Sequence, residues 1–131
     1  MKELEALSGK EASFTIGKHL IELKKFSMAV QVWCYQHYAT PEEENGIAVL
    51  SDKLVKNDIK AILELGFKLV KDKENFPTLK EFAAVFSAYD VFHKLLPNIN
   101  MTITGSRPDY TPDLKDIEEI KKVPAASVIS L

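Results

Sequence analysis

Between residues 59 and 96 apolar side chains recur at intervals of three and four, and that spacing commits the chain to helices packed on a shared core. Ile59, Ile62, Leu63, Gly66, Phe67 and Val70 form one stripe, preceded by Asn57 and Asp58 as a break and a cap. Gly66 sits inside that stripe. Glycine in a helix interior costs about 1 kcal/mol relative to alanine, so its presence predicts the close approach of a neighbouring helix. After a polar loop at 71–77, Thr78-Leu79-Lys80-Glu81 reads as a capping box. It should open the longest helix, with Phe82, Val85, Phe86, Tyr89, Phe92 and Leu96 at helical spacing and Pro97 as its stop.

Upstream, Ser27 can cap a helix reaching about Ala39. Val30, Trp33, Cys34 and His37 share its apolar face, and Met28, Val32 and Tyr35 widen the arc, so this helix is expected to be central. Thr40-Pro41-Glu42 resembles a helix restart, whereas Asn45-Gly46 makes a turn that would delay the next helix until near Ile47, ending near Val55. The segment at 11–24 suggests a β-hairpin about Gly17-Lys18, where glycine supplies a positive φ. In that register Ile16 faces His19, Phe14 faces Ile21 and Ala12 faces Leu23. The alternative is a helix from His19 onward, with only the preceding segment extended.

The expected fold is mainly α: a compact helical domain of about four helices over residues 1–97, with a short N-terminal β-hairpin. Residues 98–131 are expected to form a flexible C-terminal tail, since Gly105, Pro108 and polar residues follow Pro97. Only the stretch from about 112 to 123 looks faintly helical. The length of 131 residues suits one domain, and 46% hydrophobic residues can supply its core.

A net charge of -2 gives no bulk attraction to polyanions, which makes nucleic acid a poor first expectation. The lone Cys34 cannot form an internal disulfide, and no segment approaches the roughly 18 apolar residues of a membrane span. A soluble protein in a reducing cytoplasm is the corresponding expectation. The glycines open no phosphate-binding loop, so no nucleotide cofactor is indicated. Cys34 and His37, at i and i+3, are too few for a metal site even with His19 and His93 in the chain, and as a nucleophile and base they lack an orienting third group. The acidic runs at Glu42, Glu43 and Glu44 and at Glu118 and Glu119 read as solvated charge. What remains points to protein interaction: a hairpin too small to stand alone, aromatic-rich helices and a polar tail. The hairpin edge and the aromatic surplus also predict self-association.

Residues 13–86 resemble the tail assembly chaperones of long-tailed phages. FTIGKHLIELKKFSM is similar to that family's short extended segment leading into a first helix. GIAVLSDKLVKNDIKAILELGFKLV looks like its helix, Asn-Asp break and second helix, and FPTLKEFAAVF like the start of a later helix. The resemblance implies a non-enzymatic protein of the host cytoplasm, absent from the mature virion. It would bind the helical tape measure protein and, through a longer form made by programmed frameshifting, recruit the major tail protein. Lys121-Lys122 is compatible with a slippery adenine run in the message. The family offers no invariant site motif to carry over, so the partner-binding candidates come from the residues themselves: Trp33, Tyr38 and Tyr89, as exposed members of the aromatic helices, the alternative being that these rings belong to the core.

The rival expectation is a small DNA-associated regulator, with a helix-turn-helix hidden between residues 47 and 96. Its most basic candidate, around Lys53 and Lys60, interleaves with Asp52, Asp58 and Glu64, which speaks against a basic recognition face.

Overall fold

The computed structural model describes residues 9–56, 58–106 and 123–128, with the side chain of Val128 excluded. Strands β1 (Ala12–Ile16) and β2 (His19–Leu23) pair antiparallel in the expected register, Ala12 opposite Leu23, Phe14 opposite Ile21 and Ile16 opposite His19. Gly17 makes the turn with φ +57°. One face of the hairpin buries Ala12, Ile16, Ile21 and Leu23, while Phe14 meets the ring of Phe86 edge-on at 6.3 Å. A hairpin needs further partners to persist in water. Here Lys24 N donates to Leu69 O at 2.8 Å and Lys71 N to Glu22 O at 2.9 Å, so residues 69–71 add a short pairing along the outer edge of β2. Lys10 N donates to Met101 O, and Lys94 Nζ to Thr15 O, both at 3.1 Å. The hairpin edge expected to favour self-association is therefore engaged within the chain at these points.

Four helices follow: α1 (Met28–His37), α2 (Gly46–Val55), α3 (Ile59–Leu69) and α4 (Leu79–Ala83). Each starts at a side-chain cap that satisfies an orphan backbone N–H: Ser27 for α1, Asn45 for α2, Asp58 for α3 and Thr78 for α4. Asn45 settles the start of α2 at the later of the two expected places. Thr40 still forms a local turn, its hydroxyl accepting from Glu43 N at 3.0 Å.

The central helix is α3, not α1. It buries Ala61, Ile62, Leu63, Leu65, Gly66 and Leu69, whereas α1 buries only Val30 and Cys34. Gly66 has the role its position predicts: a Cβ there would lie 2.9 Å from Leu95 Cδ1. Gly46 permits a closer approach, since a Cβ there would lie 2.1 Å from Tyr35 O at the end of α1.

The helix expected from Thr78 to Pro97 is broken in two. After α4 the chain turns, Val85 N donating to Phe82 O and Phe86 N to Ala83 O, and a capping box, Ser87 with Asp90, starts a new helix. The turn lets Phe82 and Phe86 both enter the core, their ring centroids 5.0 Å apart. The new helix comprises α5 (Ala88–Asp90), a π-helical stretch (Val91–Leu95) and α6 (Leu96–Thr104), with helical dihedrals at both junctions.

Pro97 is inside this helix and does not end it. A proline in a helix interior lacks a donor and its ring collides with the carbonyl four residues back. The widened turn before it, in which Leu96 N bonds Val91 O five residues back, accommodates that collision. The helix ends at Gly105, whose φ is +81°.

The boundary expected at residue 97 is accordingly corrected. Pro97, Asn98, Ile99 and Thr102 are buried, and Thr102 O accepts from Phe26 N at 3.0 Å, tying α6 to the entry of α1. Residues 123–128, also expected to be tail, return to the domain. Ala88 N donates to Val123 O at 2.8 Å and Ala125 N to Phe86 O at 3.0 Å, and helix α7 (Ala125–Val128) begins with the fully buried Ala125. These bonds satisfy backbone groups left open by the break before Ser87. Asn57, Glu118, Glu119, Lys121, Lys122 and most of the faintly helical stretch expected from 112 lie outside the described residues.

The two glycines differ in what surrounds them. Alanine at Gly66 meets the flexible end of a leucine and regains helix propensity, whereas alanine at Gly46 meets rigid backbone. Gly46→Ala is expected to cost about 3 kcal/mol and Gly66→Ala about 1 kcal/mol in urea unfolding; equal costs would contradict this packing.

Candidate functional site

Helix α1 has two faces of different character. Inward, Val30 and Cys34 reach the core, and Trp33 begins an aromatic cluster at the edge of α3. Trp33 stacks on His37 with centroids 4.6 Å apart and planes 14° from parallel, and meets Tyr38 edge-on at 5.9 Å. Lys68 Nζ, from α3, lies 5.2 Å from the centre of the Trp33 ring, a cation–π arrangement. The Tyr38 hydroxyl donates to Glu64 Oε1 at 3.1 Å, while His37 Nε2 lies 3.4 Å from Glu64 Oε2. One carboxylate of α3 thereby receives both residues at the end of α1.

Burial pushes the Tyr38 hydroxyl pKa well above its ordinary value, with the Glu64 charge and hydrogen bond adding to the effect. Tyr38 is only 7% exposed, which corrects its expected place on an exposed face. Trp33 is half-buried. Tyr89 is half-buried too, but it belongs to a different stack, with His93 at 4.8 Å. Of the three expected partner-binding residues, the structure gathers Trp33 and Tyr38 into one cluster and puts Tyr89 in another.

Beside the cluster is an open cleft of about 320 Å³ lined by His37, Tyr38, Lys53, Asp58, Lys60 and Glu64. Its charges are already paired in part. Asp58 caps α3 through Ala61 N at 3.1 Å and faces Lys53 Nζ at 3.4 Å. Among the described residues no group of three or more His, Cys, Asp and Glu is placed to hold a metal ion, and no helix is long and apolar enough to cross a membrane.

Cys34 has no solvent exposure, and burial raises its thiol pKa to about 11. A buried, protonated thiol is a poor nucleophile, and His37 turns its Nε2 toward Glu64. The helix pair α2 and α3 has the short connection that a helix-turn-helix needs. Yet Ala61, Ile62 and Leu63 are buried in the first half of α3, so that half is committed to the core and not to a DNA groove.

The outward face of α1 is the part that sequence reasoning misassigned. Met28, Val32 and Tyr35 were expected to widen a buried arc; they are 65%, 47% and 48% exposed. Spaced at i, i+4 and i+7, they form one apolar stripe opposite Val30 and Cys34. The available signal was the lack of any polar face on α1, because a helix at the edge of a small core cannot bury its whole circumference. The Glu64 contacts had no such signal, since 26 residues separate Glu64 from Tyr38.

Comparison with protein-family models, curated proteins and solved structures finds no match to the chain.

The raised thiol pKa sets an alkaline limit. The unfolded chain ionises Cys34 near the ordinary value of 9.0, while the folded chain keeps it protonated to about 11. Stability is thus full below pH 9 and falls as the pH climbs toward 11, with Tyr38 acting in the same direction. The urea midpoint is expected to drop over that window and to drop less in a Cys34→Ala protein. At neutral pH a thiol reagent should label Cys34 at least ten-fold more slowly in the folded than in the unfolded chain, and equal rates would contradict the burial.

Proposed function

We propose that this chain is a non-enzymatic chaperone of phage tail assembly. It acts in the host cytoplasm, binds the tape measure protein and leaves before the virion is complete. The observation that carries this reading is the exposed stripe of Met28, Val32 and Tyr35 on a helix otherwise anchored in the core. Exposed apolar side chains in one row, on a rigid helix, suit the docking of an amphipathic partner helix. The tape measure protein is a long helical chain that must be shielded until tube subunits enclose it. A small apolar contact gives the modest affinity and fast release that such a transient role requires. In a longer frameshifted form the same domain recruits the major tail protein.

The test is co-purification of the tagged protein from phage-infected cells, with partners identified by mass spectrometry and half of each extract treated with nuclease. Recovery of the tape measure protein and the tail tube subunit, insensitive to nuclease, is expected. A Val32→Asp/Tyr35→Asp protein should recover more than about ten-fold less while keeping its helical circular dichroism, since both residues lie outside the core. Recovery of nuclease-sensitive DNA alone would overturn the reading in favour of a regulator.

A further inference from the structure

The outward face of α1 is self-complementary, and we propose that a second copy of this chain occupies it, with the two α1 helices antiparallel about a two-fold axis. A two-fold interface requires that what one end of the surface presents, the other end accepts. Two features meet that requirement. First, the midpoint of the stripe falls between Gln31 and Val32, so Val32 packs on its own counterpart at the axis. Met28 at one end then meets the partner's Tyr35 at the other, a thioether-on-aromatic contact.

Second, exposed charges flank the helix with opposite signs. Lys24 and Lys25 precede α1, and Glu42, Glu43 and Glu44 follow it. Antiparallel pairing sets each lysine pair against the partner's glutamates, whereas parallel pairing would set lysine on lysine. A ten-residue helix is only about 15 Å long, so the contact is small and the dimer weak, in the micromolar range.

The dimer stands independently of the proposed client. If both readings hold, client and second copy compete for one face, and the dimer is the form in which the apolar stripe waits covered.

Sedimentation of the purified full chain, alone, tests the dimer without involving any client. A concentration-dependent monomer–dimer equilibrium is expected, weakened several-fold when salt is raised from about 0.05 to 0.5 M. Val32→Asp should raise the dissociation constant at least ten-fold with circular dichroism unchanged. For orientation, Val32→Cys should oxidise to a covalent dimer while Met28→Cys alone does not. A charge test removes dependence on the apolar substitutions: Lys24→Glu/Lys25→Glu and Glu42→Lys/Glu44→Lys should each fail to dimerise alone and associate when mixed. A monomer at all concentrations to several hundred micromolar, a Val32→Asp dimer as tight as the parent, or efficient cross-linking through Met28→Cys would each overturn the proposal.

Discussion

The structure depends on the burial of α3. Six of its eleven residues are withdrawn from water, and α2, α4, the π-helical stretch, α6 and α7 all pack against it. The π-helical stretch brings Leu95 onto Gly66 at a distance that any larger side chain would obstruct. The end of α3 bonds to β2 through Leu69 and Lys71, which turns the hairpin from an isolated pair into a layer on the core. On another side, Glu64 and Lys68 reach the aromatic residues of α1. A central helix saturated in this way leaves the helices around it only partly covered. With one narrow anchor in Val30 and Cys34, α1 must keep an apolar row in water, and the proposed binding surface follows from that shortfall.

The two aromatic faces of α1 therefore differ in purpose. Trp33, His37 and Tyr38 lock its end to α3 through stacked rings and one shared carboxylate. The exposed contact of His37 with Glu64 adds little by itself. The more consequential contact is Tyr38 to Glu64, because it satisfies a phenol held in a mostly apolar environment. This lock fixes the direction of α1, and hence the direction in which Met28, Val32 and Tyr35 point. A partner surface of three side chains works only if its backbone is rigid, since ordering a mobile helix would consume most of so small a binding energy.

The sequence is legible where the chemistry is local. The hairpin register follows from strict alternation about Gly17, and the caps at Ser27, Asp58 and Thr78 each accept from a nearby backbone N–H through a side-chain oxygen, which depends on a few residues only. It is not legible where tertiary contacts decide. Ser87-Ala88-Tyr89-Asp90 is itself a capping box, but the apolar spacing through it looked continuous, and only the return of residues 123–125 makes a break there favourable. Pro97 read as a stop because a proline ends an isolated helix; a preceding π turn cannot be inferred from residue type. Tyr38 and Met28 exchanged expected places for one reason. Apolar character shows that a side chain favours burial but does not show which half of an apolar helix the core has room for.

Val30 and Val32 allow the two faces of α1 to be compared directly, being the same side chain on the same helix two residues apart. The most direct measurement is the unfolding free energy of Val30→Ala and Val32→Ala at a protein concentration low enough to keep the chain monomeric. A loss of about 2 kcal/mol at Val30 with a change within about 0.5 kcal/mol at Val32 is the expected result. Equal losses at both positions would mean that the outer row is part of the core, and would contradict its proposed role as a surface held ready for a partner.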